Sequence, residues 1–255
     1  MLRFAPGYHL YATAPDSWRL AEPGGRYQRI AGPDDRMTLI AQALSSGTEL
    51  ASLGPDAEAL GEQLLRRGAL IDDTTQATPP ETPKQVCILG RGPVVDALQR
   101  ALEAQPSLIQ VILDDAEPDA VISVEPWFRD RHWMELAARQ IPLHRCHDDG
   151  LALFVGPFSV DARTASYLDY RGRRRAADPL LEELEALWTH LDALPTSPLD
   201  AAPGVACLAA AVIAADLFAW AAGTDIPNAT TEVEIRVDGS LRRHPVLPLP
   251  TVTSL

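Results

Sequence analysis

Residues 86–92 read Val-Cys-Ile-Leu-Gly-Arg-Gly, and residues 93–102 continue Pro-Val-Val-Asp-Ala-Leu-Gln-Arg-Ala-Leu. A short unbroken apolar run suits a strand buried on both faces of a parallel sheet. The two glycines punctuate it, and Val94, Val95, Leu98 and Leu102 then recur at helical spacing. Strand, glycine turn and helix in that order predict an α/β unit. Downstream, 108–113 and 119–124 read as further strands, 130–139 as a helix, and 141–145 and 151–155 as strands. Residues 179–194 carry Leu180, Leu184, Leu187, Trp188 and Leu191 on one helical stripe, and an Ala-rich helix fills 205–222. Residues 230–237 alternate apolar and polar as a half-exposed strand does, Asp238-Gly239 marks a turn, and 245–250 reads as extended.

Upstream, the stretch DDTTQATPPETPKQ (72–85) is nearly free of apolar side chains and contains three prolines, so it cannot pack as regular structure. It divides the chain into a first domain at 1–78, a linker at 79–85 and a second domain at 86–255. The first domain opens with three short strands at 8–13, 18–21 and 26–31. Asp34 is placed to cap a helix over 36–44 with Met37, Ile40, Ala41 and Leu44 on its apolar face, and residues 45–47 end it. A second helix over 55–67 presents Leu60, Leu64 and Leu65, Gly68 closes it, and 69–71 is a short apolar tail. This order predicts a small α+β winged-helix-like unit.

Composition narrows the chemistry. Over 255 residues, 22 Lys+Arg against 35 Asp+Glu leave a net charge of −13, which argues against a nucleic-acid protein. Seven basic and ten acidic residues fall in 1–80, and 15 and 25 in 81–255. Lys84 is the single lysine, so Schiff-base and P-loop chemistry are set aside. Cys87, Cys146 and Cys207 are too widely spaced for a disulfide framework. The N-terminus lacks a signal-peptide pattern, and Asp216 within the Ala-rich run makes a buried core helix the better reading than a membrane span. A cytoplasmic protein without membrane association is expected.

Four groups of residues invite a functional reading. Gly90 and Gly92 follow a strand and open a helix, and Asp114 and Asp115 stand about 20 residues on, as in a dinucleotide fingerprint, although Val95 occupies its third position. A working nucleotide site and a turn surviving from an ancestral fold are both open. His144, Cys146, His147, Asp148 and Asp149 have ligand chemistry, but strand alternation separates neighbours and no second pair stands at metal spacing. His9, His132, His190 and His244 are isolated, and no nucleophile signature is present. Arg171, Arg173, Arg174 and Arg175 form a basic run, read either as a solvated loop or helix start or as contact with an acidic partner or phosphate. Arg19, Arg26, Arg29, Arg66 and Arg67 fall on the strands and last helix of the first domain. They fit either an ordinary surface or a groove that binds an acidic peptide by strand addition.

Two resemblances bear on these alternatives. Residues 26–71, with Leu65, Gly68 and Leu70 closing the last helix, resemble the later half of a PqqD-like domain. That family recognises leader peptides of ribosomally synthesised, post-translationally modified peptides (RiPPs). The segments VCILGRG, VEPWFRDRHWMELAARQIP, GLALFVGPFSVDARTASYLDYRGRRRAADP and TEVEIRVDGSLRRHPVLPLP, in that order, resemble the ThiF-like partner protein of YcaO cyclodehydratases, which form azolines in thiopeptide-type pathways.

Together they cover nearly the whole chain and imply a degenerate Rossmann-like scaffold. They also imply a leader peptide at Arg19, Arg26, Tyr27, Gln28, Arg29, Ile30, Leu60, Gln63, Leu64, Arg66 and Arg67. The peptide would lie as an added strand beside 26–30, with the helix over 57–67 as the other wall. A YcaO partner would dock near Arg171, Arg173, Arg174, Arg175, Pro248 and Pro250. The family's Cys-x-x-Cys falls on Ser166 and Asp169, and its later Cys-x-Cys is missing from PLPTVTSL, so no zinc is expected; packing around Tyr167 and Tyr170 would take over that staple. No cofactor is expected, with ATP on the partner. A homodimer is implied, Leu208, Val212 and Leu217 being either core or interface.

The leading expectation is a non-catalytic delivery subunit. Its rivals are a ThiF-like adenylating enzyme or NAD(P)-dependent oxidoreductase using Gly90 and Gly92, and a peptide-binding adaptor serving a dehydratase.

Overall fold

The computed structural model describes residues 2–46, 49–72, 82–113 and 117–249. The chain separates into two compact units, Met1–Thr78 and Pro79–Leu255.

In the first unit, β1 (Leu2–Phe4) pairs antiparallel with β5 (Leu70–Asp72), so the apolar tail after the last helix is a strand that closes the unit on its own beginning. Between them, β2 (His9–Ala14), β3 (Ser17–Glu22) and β4 (Arg26–Ile30) form an antiparallel sheet in the order β2-β3-β4, which leaves β2 and β4 as its two edges. Leu10, Trp18 and Leu20 point inward onto α1 (Asp34–Ser46) and α2 (Pro55–Arg66), where Met37, Ile40, Leu44 and Leu64 meet them. Helix α1 starts two residues before the expected position, and the Asp34 carboxylate accepts the Trp18 indole N–H at 2.9 Å. On α2 the buried positions are Ala57, Gly61 and Leu64, whereas Leu65 is exposed. The stripe turns because Leu50, from a 3-10 turn at Leu50–Leu53, packs where a side chain at 61 would stand.

The second unit is α/β around one mixed seven-stranded sheet, ordered β12-β11-β10-β9-β8-β6-β7. Strands β6 (Lys84–Leu89), β7 (Ile109–Ile112), β8 (Ala120–Glu125) and β9 (Leu143–Asp148) are parallel. The linker is therefore shorter than expected, because Lys84 and Gln85 already pair with β7. Strands β10 (Ala152–Val155), β11 (Thr231–Arg236) and β12 (Leu241–Pro245) continue antiparallel. Tight turns around Gly150 and Gly239 join β9 to β10 and β11 to β12, whereas three helices intervene between β10 and β11.

Alternation sorts the helices. Val86, Ile122, Val124 and Cys146 face α3 (Pro93–Glu103) and α7 (Pro203–Ala221). Val121 and Leu143 face α4 (Asp130–Ala138), α5 (Tyr167–Ala177) and α6 (Leu181–Ala193). Helix α7 is long and apolar enough to cross a membrane, yet its Val205, Ala209, Ile213 and Leu217 lie in the core; Leu217 is fully buried, and Leu208 and Val212 pack at the core margin.

Its single charge, Asp216, is wholly buried against His144 Nε2 at 2.9 Å. The same carboxylate accepts the Asn228 backbone and side-chain N–H groups at 3.0–3.2 Å. Asp216→Leu raises the apolarity of α7 but strands these groups. We expect it to cost about 3 kcal/mol or more in equilibrium unfolding, and Asp216→Asn to cost less; an unchanged midpoint for Asp216→Leu would contradict this account.

Candidate functional site: the open edge of the N-terminal sheet

Strand β4 pairs only with β3 among the described residues, so its other edge offers free backbone groups. The Arg67 guanidinium, just past α2, donates to Gln28 Oε1 on β4, which places the helix end beside that edge. Leu60, Gln63, Leu64 and Arg67 share one face of α2, spaced three or four residues apart, as a helix requires for a common face. Leu64 is buried beneath this face and Leu60 partly so, while Gln63 and Arg67 remain exposed. Gln28, Arg26 and Ile30 have the same parity as the core-facing positions of β4 and complete the other wall, with Ile30 packed partly into the core. Arg66 lies about 100° round the helix from Arg67.

The remaining expected peptide contacts are not on this wall. Arg19, Tyr27 and Arg29 alternate with core-facing residues and turn to the outer face of the sheet, where Arg19 stands opposite Arg29. The opposite edge, β2, forms with α1 a hollow of about 670 Å³ lined by Leu10, Tyr11, Trp18, Thr38, Gln42 and Ser45. Sequence reading missed this hollow, because an edge strand beside a helix is identified only once strand order is known.

The glycine turn has its own geometry. Gly90 and Gly92 have φ of 114° and 116°, a region disfavoured for side chains. A Cβ at Gly90 would stand 2.0 Å from the Val124 carbonyl oxygen, and one at Gly92 would stand 2.2 Å from that of Leu199. The Leu199 N–H donates to the Arg91 carbonyl at 2.9 Å, and the Leu199 side chain is buried. The close approach that these glycines allow is thus made by the chain's own backbone. Asp114 lies outside the described residues.

Residues 144–149 do not converge on a ligand site. His144 and Cys146 face α7, while Arg145 and His147 face the opposite layer. Burial, with help from Asp148, pushes the Cys146 thiol up to about 12. Burial also holds the His147 imidazole well below its ordinary range, with Arg145 and Arg174 adding to the effect. Among the described residues no group of three or more His, Cys, Asp or Glu is placed to hold a metal ion.

Arg145 is buried, with its guanidinium carbon 4.2 Å from the Tyr170 ring centroid and 5.0 Å from those of Tyr167 and Trp133. Its Nη2 donates to the Gly156 carbonyl and lies 4.0 Å from Glu232, whose carboxyl burial pushes up against the pull of Arg145.

The basic run belongs to α5 and is largely engaged internally. Arg171 binds the Asp130 carboxylate through Nε and Nη2 at 2.8–3.1 Å, Arg175 pairs with Glu185 at 2.7 Å, and Arg173 donates to the carbonyls of Leu247 and Pro248. Arg174 remains exposed near His147, and Pro250 lies outside the described residues. Ser166 and Asp169 form a capping box that starts α5, a signal legible as Ser-x-x-Asp. Burial raises the Asp169 carboxyl, but hydrogen bonds from Ser166 and from the Leu249 N–H, 2.6 Å away, outweigh it and hold the pKa low. Asp169 and Arg173 thus hold the tail, and its Val246 packs in the same buried cluster as Tyr167 and Tyr170, which also stack on Arg145.

Comparison with solved structures places this fold. A heterocyclase bound to substrate and cofactor matches with a TM-score of 0.67 at 15% identity, over 97% of this chain and 38% of its own. The heterocyclase TruD matches at 0.67 and 17%, over 99% and 42%. The chain thus spans about two fifths of the length of these heterocyclases. The microcin C7 biosynthetic enzyme MccB, in complex with N-formylated MccA, matches at 0.65 and 10%, over 99% of this chain and 98% of its own. No family model and no curated protein sequence matches. At these identities the likeness establishes the fold: this α/β architecture is shared with those proteins.

Gly92→Ala tests the role of the glycine turn. We expect it to cost at least ~2 kcal/mol in denaturant unfolding, with or without added ATP or NAD(P). Unchanged stability together with loss of a measurable nucleotide affinity would instead mark Gly92 as a nucleotide cradle.

Proposed function

We propose that this chain captures the leader region of a ribosomally made precursor peptide and delivers it to a separate YcaO cyclodehydratase that forms azolines from Cys, Ser or Thr. The observation that carries this reading is the free edge of β4 beside α2, with Arg67 reaching Gln28 across the gap. An extended peptide completes such an edge through main-chain hydrogen bonds, and Arg26 and Arg67 favour carboxylates in it. The structural likeness to two heterocyclases and to the microcin C7 biosynthetic enzyme MccB in complex with N-formylated MccA supports a role in RiPP maturation.

On this reading the second unit is a scaffold, and the cofactor chemistry belongs to the partner in the cytoplasm. Holding the leader makes the encounter between core peptide and partner effectively intramolecular, so no bond-making residue is required of this chain. A second reading, an adenylating enzyme, is favoured by the near end-to-end match with MccB. Against it stands the Leu199 backbone, seated on Gly92.

Fluorescence anisotropy with labelled leader peptide tests the first reading. We expect saturable binding by the full-length protein and a loss of about tenfold or more, equivalent to about 1.4 kcal/mol, in Arg26→Glu/Arg67→Glu. Absence of binding to any precursor encoded beside the protein would overturn it.

A further inference from the structure

Strand alternation gives the three-stranded sheet of the first unit a second, outward face that the leader groove does not use. Leu10, Trp18 and Leu20 turn to the core, so His9, Tyr11, Arg19, Ala21, Tyr27 and Arg29 turn away from it. The register aligns Tyr11, Arg19 and Arg29 in one row across the strands, and His9, Ala21 and Tyr27 in the next. None of these six positions is acidic, in a chain with 35 acidic residues against 22 basic. Tyr27 is 66% exposed and Tyr11 38%.

Among the described residues Arg19 donates only to the Trp18 carbonyl and the Ser17 hydroxyl at its own strand end. Among the described residues no carboxylate forms an ion pair with Arg19 or Arg29. Two guanidinium groups directly opposite on one sheet face repel each other, and the exposed tyrosines hold ring surface in water. Both costs vanish when carboxylates bridge the guanidinium forks and a polypeptide covers the rings. Tyrosine and arginine are also the residues that dominate interface energetics.

We propose that this outer face is a docking surface for an acidic polypeptide segment lying across the strands. Its carboxylates sit on Arg19 and Arg29 and its backbone covers Tyr11 and Tyr27. The surface is distinct from the edge of β4, where Arg26, Gln28 and Arg67 face the leader groove, and it does not depend on the leader reading. Charge complementarity selects the occupant: a neutral segment leaves the Arg19–Arg29 repulsion in place, and a basic one increases it.

The probe is a fluorescein-labelled peptide of alternating glutamate and glycine, titrated into the full-length protein at low and high ionic strength. We expect saturable binding that weakens as salt rises. Arg19→Gln/Arg29→Gln should weaken it at least ~10-fold while the thermal midpoint stays equal or rises, because the variant removes a like-charge pair. A purely structural role for these arginines predicts a lower midpoint instead. Leader binding should survive in this variant, and probe binding should survive in Arg26→Gln/Arg67→Gln. Absence of probe binding at low salt, equal binding by the Arg19→Gln/Arg29→Gln variant, or loss confined to Arg26→Gln/Arg67→Gln would overturn the proposal.

Discussion

The backbone contact between Leu199 and the Gly90–Gly92 turn sets how the second unit packs around the start of α3. Two residues held at positive φ let a strand-turn-helix junction accept the Val124 and Leu199 carbonyls where other residues would carry a side chain. In a dinucleotide-binding fold that closeness serves a pyrophosphate at a helix N-terminus. Here the connection between α6 and α7 makes the contact and buries Leu199 beside it. The turn therefore packs closely on β8 and on the segment that leads into α7.

The opposite layer is organised by a different constraint, the burial of Arg145. A guanidinium removed from water needs acceptors and polarisable faces; Gly156, Trp133, Tyr167 and Tyr170 provide them, with Glu232 close by. Helix α5 supplies two of those rings and, from its exposed side, Asp169 and Arg173 for the tail. One helix thus ties the buried cation to the last described residues, with Arg171 and Arg175 pairing to α4 and α6. In the first unit β4 has an open edge, and Arg19 and Arg29 lack carboxylate partners among the described residues.

Much of this was legible in local patterns. The apolar run at 86–89, the stripe Val94, Val95, Leu98 and Leu102, and the alternation of Thr231–Arg236 each identify an element because neighbours in sequence settle it. What escaped depends on distant partners. His144 meets Asp216 across 72 residues and Asp169 meets Leu249 across 80, so no window of sequence shows either pair. Five of the first domain's seven arginines formed one candidate groove in sequence, yet strand parity places Arg26 with the edge and Arg19 and Arg29 on the outer face. The internal pairing of the run 171–175 was not legible because its acceptors, Asp130, Glu185 and the tail carbonyls, come from three other segments.

The central claim is that a leader peptide is added as a strand along β4. Amide hydrogen exchange of the full-length protein, with and without saturating precursor peptide, addresses it directly, since strand addition protects edge amides that are otherwise open to water. The account predicts new protection concentrated in residues 26–30 and in the C-terminal turn of α2, with the β2 amides unchanged. Protection confined to β2 and α1, or to the second unit, would contradict it.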